Sequence, residues 1–175
     1  MKLKGTQRTI ILLLILCLNL GCDQVTKSVT RTHISYYDQL QFLNGHFTLL
    51  HVENTGAFLS LGAEMVQPFR FILLTLLPIL ALFGGLVYVL IKKNLGNLIS
   101  VGVIFCIGGG LGNLYDRIIH GSVTDFMHIR FGALQTGIFN AADVSIMIGF
   151  GLILLDAFLK RDDGKKAEAA TGVEE

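Results

Sequence analysis

Four long apolar runs, separated by shorter polar stretches, organise the chain, at about Thr9–Val29, Phe69–Ile91, Asn97–Ile119 and Ile138–Leu159. About 20 apolar residues suffice to cross the hydrocarbon of a bilayer as a helix, and each run meets that length. Pro68 stands at the entry of the second run, where its missing N–H is harmless. Pro78 lies inside that run and predicts a kink. The longest polar stretch, residues 30–67, carries its own signals: Leu40–Leu43 and His46–Val52 flank Asn44-Gly45. That arrangement predicts two short strands around a tight turn. The connection His120–Gly137 reads as a structured cap, with Phe126, Ile129, Phe131 and Leu134 available to press on the bilayer or the hairpin. From residue 161 to 175 the chain turns to Lys, Asp, Glu, Ala and Gly, and a disordered tail is expected.

Composition agrees with the pattern. Of 175 residues 52% are hydrophobic and 15% charged, where soluble domains carry roughly a quarter charged residues. The expected fold class is an all-α membrane protein: a bundle of four transmembrane helices, one domain over residues 1–160, with a small extracytoplasmic β element. A net charge of +1 and the absence of a basic stripe with interleaved aromatics exclude a nucleic-acid partner. Positive charge orients the bundle. Lys2, Lys4, Arg8, Lys92, Lys93, Lys160, Arg161, Lys165 and Lys166 would lie inside, against Lys27, Arg31, Arg70, Arg117 and Arg130 outside, so both termini are expected in the cytoplasm. Cys17, Cys22 and Cys106 lie in apolar runs without metal-ligand spacing and read as small core residues.

With that topology the outer ends of the runs meet at one depth, and polar residues gather there. Asp23 and Lys27 form an i,i+4 pair, Asn113, Asp116 and Arg117 share one face, and Asn140 and Asp143 open the fourth run. Asn54 and Asp125 can reach the same layer from the two external connections. A single polar residue at a helix end commonly snorkels or pairs helices. Clusters from three helices and two loops at one depth point to a cleft, because unpaired buried charge is costly. Asp125 and Asp143, if close, would repel, raise one pKa and share a proton. Such a pair can deprotonate water, polarise an amide carbonyl and return a proton to the leaving nitrogen without metal or cofactor.

These residues stand in four motifs: Asp23-Gln24-Val25-Thr26-Lys27, Gly109 to Arg117 (GGLGNLYDR), Gly121 to Phe126 (GSVTDF) and Phe139 to Asp143 (FNAAD). Together they resemble the bacterial lipoprotein signal peptidases, or signal peptidases II, across all four runs. The resemblance implies an aspartic protease of the inner membrane, its active site at the outer face. It would cleave prolipoproteins before a diacylglyceryl-modified cysteine, with Asp125 and Asp143 as the catalytic dyad. Asn54, Asn113, Arg117 and Asn140 would line the site, Asp23 and Lys27 would support its wall, and Asp116 would fix Arg117 or the end of the third helix. The implied fold adds a β-cradle and a mobile periplasmic helix. Prolipoprotein substrates and membrane lipid are the expected partners of a monomer. One motif departs: Asn54-Thr55-Gly56-Ala57-Phe58 carries Phe58 where the family shows a second Ala. Glu53 adds an acid of unassigned role.

Other readings are weaker. The Gly108–Gly112 run lacks the preceding strand of a nucleotide site and suits close helix packing. His128 beside Asp125 has no third metal ligand in sequence. Leu18-Asn19-Leu20-Gly21-Cys22 resembles a lipobox, so the chain could itself be a lipoprotein, but Asn19 fits that motif poorly. A proton or ion relay would thread carboxylates through the membrane. Here they crowd one end, with Asp156 the exception near the inner interface.

Overall fold

A computed structural model describes residues 5–57, 62, 64–92 and 94–171. Among the described residues four helices are long and apolar enough to cross a membrane: α1 (Gly5–His33), α2 (Phe69–Ile91), α3 (Asn97–Ile119) and α4 (Ala141–Thr171). Most of their large apolar side chains face outward, as in Leu14, Leu18, Leu80, Phe83, Met147 and Leu154. A small apolar core of Leu12, Leu16, Val89, Ile104 and Ile107 joins α1, α2 and α3. Cys17 and Cys22 also face outward, which corrects their reading as core residues. In a lipid-solvated helix the apolar face is the outer one, so apolar neighbours in sequence do not imply burial.

Pro78 acts on the backbone before it. The stretch Ile72–Leu76 of α2 is a π-helix, and regular α-helix resumes at Leu77 with Pro78 in its first turn. A wider turn here absorbs the carbonyl clash and lost donor of an internal proline. Helix α4 continues to Thr171, over most of the segment expected to be disordered. Ala, Lys and Glu have high helix propensity, which favours helix where no core can form. Residues 172–175 lie outside the described residues, as does Phe58.

Helices α3 and α4 are the most closely apposed, and glycine is the reason. A Cβ on Gly102 would sit 2.8 Å from the Gly149 carbonyl, and one on Gly149 would sit 2.5 Å from the Gly102 carbonyl. Gly109 likewise has no room against the Ala142 carbonyl, nor Gly112 against the Asp23 carboxylate. The glycine run is thus a helix-packing surface, as the sequence suggested. Gly149→Val should lower the thermal midpoint in detergent by an amount at or above the usual ~1–3 kcal/mol of overpacking. An unchanged midpoint would mean that α3 and α4 are not held in this contact.

The polar connections form a single antiparallel sheet in the order β1-β2-β3-β4: β1 (Gln39–Phe42), β2 (Phe47–Asn54), β3 (Val123–Phe131) and β4 (Leu134–Gln135). The expected hairpin is present, but its turn is wider than a two-residue Asn-Gly turn. Phe42 pairs with Phe47, leaving a four-residue connection in which Leu43 and Asn44 both take left-handed backbone (φ 52° and 56°). The segment read as a cap supplies the other half of the sheet. Val52 lies opposite Asp125, Glu53 opposite Thr124 and Asn54 opposite Val123. The sheet packs where α1 and α3 end and α4 begins, and that junction holds the polar cluster.

Candidate active site

Asp125 lies near the start of β3, 5% exposed. Its two carboxylate oxygens accept from Asn54 Nδ2 at 3.0 Å and Asn140 Nδ2 at 2.6 Å. The sheet register delivers the first donor: Val52 faces Asp125, and Asn54, two residues on, lies on the same face of β2. Asn54 also shapes its own loop, accepting from Gly56 N at 3.0 Å and donating to the Ala57 carbonyl at 3.1 Å. The second donor is placed by a backbone bridge between Phe139 and Met127, which brings Asn140 beside Asp125 just before α4 begins.

Asn140 and Asp143 cap α4 reciprocally. Asn140 Oδ1 accepts from Asp143 N at 3.0 Å, and Asp143 Oδ2 accepts from Asn140 N at 3.1 Å. This is a capping box with aspartate at the third helical position, so the motif that starts the helix also fixes the acid. The other Asp143 oxygen accepts from Asn113 Nδ2 at 2.9 Å. Asn140 Nδ2 donates to Asn113 Oδ1 as well, at 3.1 Å. Asp125 and Asp143 therefore sit on different elements and are joined through one residue, Asn140. Burial is the main force that raises the Asp125 pKa to about 6; the charge of Asp143 adds to it, while Asn54 and Asn140 oppose it.

A buried ionic wall stands behind the pair. Lys27 is fully buried and binds Asp23 at 2.8 Å, Asp116 at 3.0 Å and Asn113 Oδ1 at 2.9 Å. Asp23 also accepts from Ala142 N at 2.9 Å, an orphan donor in the first turn of α4. A negative charge there complements the helix dipole. Gln24 completes the wall by donating to Asp23, Asp116 and the Gly112 carbonyl.

Asp116 has a wider role than expected. It binds Lys27 and Arg31 of α1, the latter at 2.9 Å, and accepts from Thr124 N at 3.3 Å. It makes no bond to Arg117, which instead donates to the Gly56 carbonyl at 2.8 Å and the Asn113 carbonyl at 3.3 Å. Arg117 thereby ties the loop after Asn54 to α3.

Glu53 acquires a role that its sequence position hid. Its carboxylate accepts from Ser122 Oγ, from Thr124 Oγ1 at 2.7 Å and from His51 Nε2 at 3.0 Å. Burial works against its charge, but these three donors together hold its pKa below the usual range. Thr124 Oγ1 accepts in turn from Arg31 Nε at 2.7 Å, so Glu53 fastens the β2–β3 pairing to the end of α1. Every residue that the sequence placed at the site is in this network: Asp125, Asp143, Asn54, Asn113, Asn140, Arg117, Asp23 and Lys27.

A pair of carboxylates held by amide donors, Asp125 with its pKa raised to about 6, can exchange protons with a bound water. Comparison with known proteins points the same way. Residues 14–159 match the model of the family described as Signal peptidase (SPase) II. The lipoprotein signal peptidase of Aquifex aeolicus (strain VF5) is 35% identical over 143 residues, covering 79% of this chain and 80% of that protein. That of Haemophilus influenzae (strain ATCC 51907 / DSM 11121 / KW20 / Rd) is 36% identical over 149 residues, covering 83% of each. A bacterial membrane enzyme solved by the in meso method at 2.3 Å resolution aligns with a TM-score of 0.76 and 27% identity, covering 94% of this chain and 96% of that one. The matched region takes in most of all four helices and the whole sheet, and on that ground this chain belongs to the signal peptidase II family.

Proposed function

We propose that the chain is an aspartic endopeptidase of the bacterial inner membrane in which Asp125 and Asp143 are the catalytic dyad. It removes the signal peptide from prolipoproteins, cutting before the diacylglyceryl-modified cysteine. The observation that carries this reading is the pair of carboxylates joined through Asn140 in a chain of this family. In the proposed step the ionised carboxylate takes a proton from a water whose oxygen attacks the scissile carbonyl. The protonated partner donates to the carbonyl oxygen as it becomes an oxyanion. As the tetrahedral adduct collapses, the C–N bond breaks and a proton passes to the cysteine nitrogen. Water is thereby divided between the new carboxylate and the new amine.

Asn54 and Asn140 hold Asp125 in place, Asn113 holds Asp143, and Arg117 fixes the loop over the cleft. Asp23 and Lys27 brace the wall. The polypeptide would act as a monomer in membrane lipid, one domain with both termini in the cytoplasm. The sheet and the dyad would lie at the outer face, where translocated prolipoproteins emerge.

Asp125 also sets a pH dependence. As pH rises through about 6 the Asp125 carboxyl loses its proton and the free enzyme loses the shared one, so kcat/KM should fall on that side. Asn54 stabilises the ionised form, so Asn54→Ala should raise the Asp125 pKa and move the fall to higher pH. A fall that stays in place in the variant would detach it from Asp125.

The substrate class is tested with purified protein in lipid, offered one prolipoprotein with and without diacylglyceryl on its cysteine. Cleavage of the modified form alone is expected. Equal cleavage of both would remove the lipid from recognition, and ion flux through liposomes with no cleavage would favour a relay.

A further inference from the structure

At the end of the bundle away from Asp125 and Asp143, a second charged group is buried. Arg8 is 3% exposed. Its Nη2 donates to the Val89 carbonyl at 3.0 Å and to Ser100 Oγ at 2.9 Å. Ser100 Oγ donates onward to the Gly96 carbonyl at 2.8 Å, so its one donor is already used. Arg8 Nε is buried without any hydrogen-bond partner. Among the described residues no carboxylate pairs with Arg8; the nearby Asp156, which lies against Gly96, is bound to Lys160 at 2.6 Å. A buried cation with neutral acceptors only is costly unless an anion reaches it.

The space for that anion is present. Arg8 lines a cavity of about 340 Å³ together with Gly5, Thr6, Thr9 and Leu90. That is roughly ten times the ~30 Å³ that one water occupies in the liquid. Four of the five lining residues belong to the first described residues of α1, and the N-terminal end of a helix dipole favours negative charge. Beside it stands the buried Arg8 guanidinium, whose only partners are the Val89 carbonyl and the Ser100 hydroxyl and whose Nε has none. Outside the cavity Ile10, Leu14 and Ile91 present exposed apolar side chains, as an acyl chain requires.

We propose that this cavity binds the phosphate of an anionic phospholipid, with Arg8 as its counter-charge. The bound lipid would join α1 to α2 at the end of the bundle opposite the cleft. Arginine suits this place because its guanidinium keeps its charge when buried.

The test uses the full chain in a non-ionic detergent and follows the thermal midpoint during separate titrations with phosphatidylglycerol, inorganic phosphate and diacylglycerol. Phosphatidylglycerol is expected to raise the midpoint, diacylglycerol to leave it unmoved, and Arg8→Gln to lose most of the rise. A rise with inorganic phosphate that Arg8→Gln removes would support the same site with a free anion as occupant. An equal rise in wild type and Arg8→Gln, or none with either phosphate compound, would overturn the proposal. Should Arg8→Gln fail to fold, Thr9→Glu decides, since it places a carboxylate in the cavity. It should abolish the lipid response, and an undiminished response would refute the site.

Discussion

Asp125→Asn and Asp143→Asn are each expected to lower kcat by at least about 10⁴-fold, the loss typical when one member of a catalytic unit is removed. Either exchange leaves an amide in place of an acid–base group while keeping the side-chain volume. Asp143→Asn retains an oxygen that can accept from Asn140 N, so the cap of α4 survives in part. At Asp125 both oxygens accept from amide NH₂ groups, and an asparagine there turns its own NH₂ toward Asn54 or Asn140. Some local rearrangement accompanies that exchange. A substrate-binding readout alongside the rate therefore separates lost chemistry from a lost site: KM should change little while kcat collapses.

Lys27→Met is expected to cost about 3–5 kcal/mol of stability, as found when one partner of a buried ion pair is removed. The lysine is fully buried and faces two carboxylates and one amide oxygen. Methionine fills the volume but leaves Asp23 and Asp116 close together without their shared cation. Asp116 keeps Arg31, whereas Asp23 keeps only neutral donors, Ala142 N and Gln24. The second exchange Asp23→Asn should then recover part of the loss in the Lys27→Met background while being destabilising alone. Thermal midpoints of the four proteins in one lipid mixture measure this coupling. Additive losses would show that Lys27 and Asp23 do not act on each other.

Much of this arrangement was legible in the sequence because membrane segments carry so few polar residues. Asp23, Lys27, Asn113, Asn140 and Asp143 stood out against apolar runs, and their i,i+3 and i,i+4 spacings identified shared faces. What remained hidden depended on β3. Val123, Thr124, Asp125 and Phe126 are buried in succession, so this strand lacks the alternation that marks a half-buried one and reads as a loop. Without β3 the partners of Glu53, Ser122 and Thr124, could not be placed. Asp116 was expected to fix Arg117 or the end of the third helix; adjacent helical residues point about 100° apart and do not meet, and its partners Lys27, Arg31 and Thr124 lie on α1 and β3. Arg8 and Lys27 were legible as charges flanking a membrane run, but not as buried and bonded side chains, which both are. Burial of a charge depends on a partner distant in sequence, and periodicity carries no sign of it.

The two aspartates are held through one asparagine and should act as one unit. The measurement that tests this most directly is the cleavage rate of a diacylglyceryl-modified prolipoprotein by wild type, Asp125→Asn, Asp143→Asn and the double variant in the same lipid. Each single exchange is expected to reach the floor, with the double variant no slower than either. Undiminished cleavage by one single variant, or a double variant slowed by the product of two partial losses, would contradict that.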